Sequence, residues 1–377
     1  MTFKLTNAKI VTPNGVVQGC LSFGSELIAD ISESTQLNGE DCEGDWLIPG
    51  IIDLHTDNLE RHFFPRPNID WDPISAAIVH DGLCISVGVT TVFDSLSVGS
   101  FGYASARTPD NLIRLTEALH IATDEKLLKG SHRLHWRCEA PSEVLREWLP
   151  DLADAPLTGL FSLMDHTPGQ RQYRNLDKFL SMWRREGLSE ADIEKRMMER
   201  KANVVKNDSI NREFVARLAK SRNLPLASHD DETVDHIVEA KSLGVKIAEF
   251  PVTLAAARAA MDAGMTLIMG GPNLIRGGSY SGNVSVSELV ENGLQIGFAS
   301  DYVPRSLIEC GFALAGGPWN WPIEKAIETV TRTPAHAVGL TDRGALVVGL
   351  RGDVVRVRIV NGHPYVRGVW VAGQRVG

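Results

Sequence analysis

The sequence predicts an α/β chain: a (β/α)8, TIM-like barrel carrying a small β-rich domain built from its two ends. Three observations point there. Eight short apolar runs alternate with helical stretches through the middle of the chain, most of those runs end in a polar or ionisable residue, and both ends share a different, turn-rich texture. Residues 3–35 read as short strands, with 5–11 followed by the turn signal Pro13-Asn14-Gly15 and then 16–23. The same texture returns at the far end, where 353–360 and 364–371 are rich in valine and bounded by Gly-Asp, Asn-Gly and Ala-Gly pairs. Residues 1–46 and 340–377 are therefore expected to share one β-sandwich-like domain, and 47–339 to form the barrel. Its expected strands are 47–54, 90–94, 134–138, 159–164, 225–228, 246–250, 266–269 and 295–299. The stretch 176–206, with mixed charges and apolar residues at helical spacing, reads as a helical insertion after the fourth strand, a lid or a contact in a homo-oligomer.

Composition narrows the function classes. A chain of 377 residues with 43% hydrophobic and 23% charged residues is ordinary for a soluble globular protein, and every apolar run is too short to cross a bilayer. The start, Met1-Thr2-Phe3-Lys4-Leu5, lacks the features of an export signal, so a cytoplasmic location is expected. Five cysteines, odd in number and without C-x-x-C spacing, argue for reduced thiols rather than a disulfide framework or a cysteine metal site. The net charge of −9 disfavours nucleic acid as a partner. It leaves room for a small anion, because a local arginine cluster governs its own cleft.

The chemistry begins at the first barrel strand. Its end reads Pro49-Gly50-Ile51-Ile52-Asp53-Leu54-His55-Thr56-Asp57. Side chains two apart on a strand point the same way, so His55 and Asp57 can converge on one ion.

That string resembles the first-strand signature of the amidohydrolase superfamily, with Asp57 standing where the usual H-x-H has its second histidine. The longer run from His55 through Glu60-Arg61-His62 to Arg66-Pro67 is similar to one branch, the diphosphatases of bacterial phosphonate breakdown. The similarity continues through Arg137-Cys138-Glu139, Asp165-His166-Thr167-Pro168-Gly169-Gln170, Ser228-His229-Asp230-Asp231 and Ala299-Ser300-Asp301-Tyr302, and so spans nearly the whole chain. The resemblance implies a divalent-metal hydrolase with one or two ions, zinc first and manganese, iron or nickel as alternatives. It implies a small phosphorylated sugar, a ribose 5-triphosphate, as substrate, split between its α and β phosphates.

Glu139, His166, His229 and Asp301 each follow a predicted strand, where they can face the barrel mouth with His55 and Asp57. Glu139 is the candidate carboxylate between two ions, since no lysine occupies the third or fourth strand end. Glu249 stands where the superfamily places a sixth-strand histidine, and either it or His166 can complete the ligand set. Asp301 and His229 are the candidate catalytic residues, Asp301 as ligand, proton acceptor or both.

Each histidine has a competing role as a buried or capping imidazole, and Asp301 has one as a helix cap. Asp230 and Asp231 are read as solvated helix-start carboxylates in preference to orienters of His229. Arg61, Arg66, Arg171, Arg174 and Arg276 are the candidate phosphate contacts. The last lies in the glycine-rich run 270–279, which reads equally as an anion nest or a turn. Two other functions stay open: hydrolysis of a cyclic amide or amino group, and a barrel retained as a non-catalytic assembly subunit.

Overall fold

A computed structural model describes residues 3–33, 38–66, 69–99, 107–185, 187–279 and 281–377. Pro67, which ends the first-strand string, lies outside the described residues, as do 34 and 35 of the expected N-terminal strand run and 186 of the expected insertion. The N-terminal segment forms β1 (Phe3–Thr12), β2 (Gly15–Gly24), β3 (Leu27–Ser32), β4 (Glu40–Asp41) and β5 (Trp46–Pro49). Eight strands then follow in the middle of the chain: β6 (Ile51–Thr56), β7 (Val89–Val98), β8 (Ser131–Glu139), β9 (Thr158–Met164), β10 (Leu226–His229), β11 (Ile247–Glu249), β12 (Thr266–Gly270) and β13 (Gly297–Ala299). The C-terminal segment adds β14 (Val354–Val360), β15 (His363–Val371) and β16 (Gln374–Arg375).

Strands β6 to β13 pair in chain order and in parallel, giving the expected (β/α)8 barrel. Helices connect its strands: α1 (Asn58–Phe63), α2 (Pro73–Ser86), α3 (Pro109–Asp124), α4 (Leu145–Ala153), α5 (Leu176–Arg185), α6 (Glu190–Ser221), α7 (Val234–Ser242), α8 (Leu254–Asp262), α9 (Gly271–Ile275) and α10 (Val286–Glu291) precede the last barrel strand. Several begin where a short polar side chain takes up a free amide. Asp72, Thr108, Ser189, Thr233 and Thr253 accept from Ser75, Asn111, Asp192, His236 and Ala256, which satisfies donors that a helix start leaves unpaired.

Strand alternation sorts side chains between two cores. Leu134, Trp136 and Cys138 of β8 join the apolar layer beneath the helices. Ile52, Leu54, Phe93, Leu160, Ala227, Ile247, Ile268 and Ala299 form a separate interior cluster to which seven of the eight strands contribute. The remaining strand, β8, presents His135, Arg137 and Glu139 on its alternate face.

The barrel closes between β6 and β13 by a short parallel bridge from Thr56 to Asp301. Its bonds run from the Asp57 amide to the Asp301 carbonyl (3.0 Å) and from the Asp301 amide to the His55 carbonyl (2.8 Å). Further down, Ile52 donates to the carbonyl of Val330 and Phe298 to that of Thr329, so another segment fills the seam there. The Asp53 carboxylate reinforces the closure by accepting from the Ser300 amide at 2.9 Å.

The terminal strands form one sheet in the order β16-β15-β14-β5-β1-β2-β3, with β4 beside β1. Its core holds Leu5, Ile10, Leu21, Phe23, Leu47, Val354 and Trp370. The expected first barrel strand, 47–54, is in fact two. Residues 46–49 pair antiparallel with β14, and the chain changes sheets at Gly50 before entering the barrel. The reason is steric: a Cβ on Gly50 would lie 2.1 Å from Thr90 Oγ1 and 2.9 Å from Asp353 Cβ, while the Gly50 amide donates to the Asp353 carbonyl.

That close approach generates a prediction. Gly50→Ala should destabilise the fold by about 1–3 kcal/mol through overpacking. Thermal unfolding of the variant beside the parent checks it, and an unchanged melting temperature would show the junction to be looser than described.

Candidate active site

At the C-terminal ends of the barrel strands, His55, His229 and Glu249 are brought together by β6, β10 and β11. All three are buried. His55 Nδ1 lies 3.0 Å from Glu249 Oε1, and its Nε2 lies 3.5 Å from Asp57 Oδ1. Burial works against protonation of His55, but the Glu249 and Asp57 carboxylates raise it to about 10. Glu249 is opposed by burial too, yet His55 holds it down at about 2. The second Glu249 oxygen and His229 Nε2 are 3.7 Å apart, buried, and without hydrogen-bond partners. Two adjacent buried acceptors left unsatisfied are a costly arrangement unless something between them binds both.

Asp301 joins from just beyond β13. Its backbone takes a left-handed conformation, φ 57°, at the closing bridge, which sets its carboxylate beside His55 and Asp57. Burial raises that carboxyl to about 6, partly offset by His55. His55, Asp57 and Asp301 offer ligand atoms within 4.8 Å of one another, and so do His55, His135 and Glu249. Glu139 and His166 form a neighbouring pair, with Glu139 accepting from the His166 amide at 2.8 Å and lying 2.7 Å from its Nδ1. The His166 ring stands 6.2 Å from that of His229. His55, Asp57 and Asp301 thus form one group, with His229 beside Glu249 and the Glu139–His166 pair next to it.

Of two further neighbours, His135 was not singled out in the sequence, and Arg137 was quoted there only within Arg137-Cys138-Glu139, without a role. His135 packs edge-on against His55, with ring centroids 5.2 Å apart, and its ring nitrogens face the Leu54 carbonyl and Ser162 Oγ. Arg137 donates to Asp57 Oδ1 at 2.6 Å. Alternation along His135-Trp136-Arg137-Cys138-Glu139 carried the signal, because residues two apart share a face with Glu139.

The structure corrects the reading of Asp230 and Asp231 as solvated. Both are buried. Asp230 Oδ2 lies 2.6 Å from His229 Nδ1, which orients that ring so that Nε2 faces Glu249. Asp231 accepts from Ser228 Oγ and from Arg171 Nη1. The backbone bends needed to bury these acids, with Asp230 at φ 57°, are invisible to a composition argument.

The five arginines divide. Arg61 and Arg276 line an open cleft of about 610 Å³ that also includes Asp230, Phe250, Asp301 and Tyr302. Arg276 reaches the Tyr302 hydroxyl at 3.3 Å, and Arg61 stacks over the Tyr302 ring at 6.0 Å. Arg174 donates to the Gly282 carbonyl near the cleft rim. Arg66 is exposed in the loop after α1. Arg171 is different: its guanidinium is buried against Asp231 and beneath the His229 carbonyl, so it braces the loop after β10 rather than opening onto the cleft. The run 270–279 resolves into the short helix α9 followed by Gly277 and Gly278 at positive φ.

A parallel barrel of this kind, with histidines and carboxylates around its C-terminal mouth, is an amidohydrolase-type fold. Solved structures agree. N-acetylglucosamine-6-phosphate deacetylase from Pasteurella multocida matches over 100% of both chains at 13% identity and a TM-score of 0.66. A 5-methylcytosine deaminase from Klebsiella pneumoniae matches over 99% of this chain and 98% of its own, at 15% identity and a TM-score of 0.67. No protein-family model matches the chain. The sequence is 39% identical over 376 residues, 99% of each chain, to alpha-D-ribose 1-methylphosphonate 5-triphosphate diphosphatase of Escherichia coli (strain K12). The chain belongs to the family of that diphosphatase.

The two classes of arginine separate experimentally. Arg171→Ala leaves Asp231 buried without its partner and should lower stability by about 3–5 kcal/mol. Arg276→Ala, on the cleft, should leave the melting temperature nearly unchanged. Denaturant unfolding of the two variants checks the contrast, and equal stabilities would refute the division.

Proposed function

We propose that the chain hydrolyses the phosphoanhydride of α-D-ribose 1-methylphosphonate 5-triphosphate, releasing pyrophosphate and the 5-phosphate. The observation that carries this reading is the convergence of unsatisfied, buried metal-type donors at the mouth of a cleft lined by arginine, in a chain that aligns end to end with a diphosphatase of that name. The donor set fits a divalent cation: among the described residues His229 Nε2 and Glu249 Oε2 have no hydrogen-bond partner, and His55, Asp57 and Asp301 cluster beside them. His55, Asp57, His229, Glu249 and Asp301 would hold the ion, with Glu139 and His166 available for a second. Imidazoles mixed with carboxylates suit zinc, manganese, iron or nickel, and zinc is the first expectation.

A divalent ion, when bound, supplies Lewis acidity toward the phosphoryl oxygens and acidifies water. The residues do the rest. Asp301 stands at the mouth with a carboxyl that burial has made more basic, and it takes the proton of the attacking water. The water oxygen joins one phosphorus, and the bridging oxygen leaves with the other fragment. Arg137 holds Asp57 in place. Arg61 and Arg276, tied to Tyr302, supply cationic donors for the polyphosphate, with Arg174 at the rim and Arg66 on the loop beyond. Asp230 keeps His229 in one tautomer and orientation.

Phosphorus NMR of the ribosyl triphosphate incubated with the metal-loaded chain tests the reading directly. Pyrophosphate and a 5-phosphate should appear together, and a panel of cyclic amides should remain intact. Release of single orthophosphates, or turnover of the amides alone, would replace it.

Three further outcomes are expected. Removal of metal by chelation should abolish turnover, and addition of zinc or manganese should restore it, as followed by elemental content and rate on one sample. Arg276→Ala should raise KM or lower kcat for the triphosphate by an amount equivalent to about 1.5–3 kcal/mol, whereas Asp301→Asn should depress kcat with the fold intact. Normal kinetics in either variant would remove that residue from the proposed chemistry.

A further inference from the structure

Away from the barrel mouth, a second group of metal-type side chains is buried between α2 and the outer faces of β7 and β8. His80 comes from α2, Asp94 from β7 and His132 from β8. Asp94 shares its strand face with Val92 and Leu96, which pack into the layer beneath the helices, so this trio lies outside the barrel interior. The side-chain partners of the trio are one another, Asp81 and Cys84, none of them a ligand candidate at the catalytic mouth. His80 and Asp94 are 0% exposed and His132 is 3% exposed, and their ligand atoms lie within 4.8 Å of one another.

Three features of the geometry bear on what the group can hold. First, the two imidazoles address opposite oxygens of one carboxylate: His80 Nε2 is 2.8 Å from Asp94 Oδ1, and His132 Nδ1 is 2.8 Å from Asp94 Oδ2. Second, Asp94 Oδ1 has no aligned hydrogen-bond partner despite that separation. A nitrogen and an oxygen so close, with their bonding directions not aimed at each other, have the relation of two donors directed at a common third atom. Third, the far nitrogen of His132 faces Asp81 Oδ1 at 3.3 Å, and Asp81 is itself fixed by the amides of Lys129 and Gly130. A carboxylate on the outer nitrogen of an imidazole is the usual support for a metal-binding histidine, because it sets which nitrogen keeps the proton.

Charge points the same way. Asp81 and Asp94 bring two carboxylates into an apolar layer that also holds Cys84, whose sulfur packs 3.8 and 3.9 Å from the two nitrogens of His80. Two carboxylates in an apolar layer call for positive charge beside them, whether from a bound cation or from a protonated imidazole.

We propose that His80, Asp94 and His132 form a second, structural divalent-metal site, separate from the catalytic mouth, in which two imidazoles and both oxygens of one carboxylate offer four donors. Nitrogen and oxygen donors in this ratio suit a borderline cation of the zinc class. Binding displaces a proton from His132 Nδ1 and ties α2 to the second and third barrel strands. The site serves the fold, so its loss acts on stability rather than on the chemistry at the mouth.

Anomalous diffraction tests this on the unaltered chain, expressed in zinc-supplemented medium and kept from chelators. Data on the two sides of the zinc edge should show a peak between His80, Asp94 and His132, distinct from any at the mouth. In parallel, His80→Gln should lose about one equivalent of zinc per chain by elemental analysis and melt at a lower temperature. No anomalous peak at the trio, or a folded His80→Gln chain with unchanged zinc content, overturns the proposal and makes the group a proton-held ion cluster. Should His80→Gln fail to fold, the anomalous map of the unaltered chain decides alone.

Discussion

The short seam between the first and last barrel strands is the constraint on which the site depends. Around Thr56 and Asp301 the end of β6 and the residues just past β13 bond backbone to backbone; below that point the Thr329–Val330 carbonyls stand between the strands. The three residues engaged in those bonds, His55, Asp57 and Asp301, are also the ones whose side chains gather at the mouth. Closing the barrel and assembling this part of the site are therefore the same event. The left-handed backbone of Asp301, an unfavourable conformation for a residue with a side chain, persists because both its amide and its carbonyl are held by the neighbouring strand.

The electrostatic arrangement follows from that closure. Burial raises Asp301, while the histidine beside Glu249 and the arginine beside Asp57 hold those two acids ionised. Carboxylates within one small volume thus acquire different proton affinities, a means of separating a proton acceptor from ligands. The second layer keeps these differences in place: Asp230 against His229, Arg137 against Asp57, Arg171 against Asp231.

Much of the fold was legible in the sequence, for a physical reason. Buried parallel strands read as short apolar runs, and the ionisable residues that end them interrupt those runs visibly; all eight barrel strands and the convergence of His55 with Asp57 follow from that pattern. What escaped depended on three-dimensional closure. The division of 47–54 at Gly50 reflects the approach of Thr90 and Asp353, which lie far away in the chain. The burial of Asp230, Asp231 and Arg171 depends on how the loops after β9 and β10 fold onto one another, and their charged character alone suggested exposure. His135 was hidden by a different cause, since apolar Leu134 and Trp136 on either side made the strand look like uniform core.

The junction at Gly50 has a consequence for the order in which the molecule can be completed. Strand β5 leads straight into the His55 strand, and it is flanked in its own sheet by β1 on one side and β14 on the other. During synthesis β1 is made first, but β14 emerges only after every barrel strand has left the ribosome. The anchor of the first barrel strand is half-built throughout translation, with one edge of β5 unpaired, and becomes whole when the final segment docks. The beginning of the barrel is thus secured by the end of the chain.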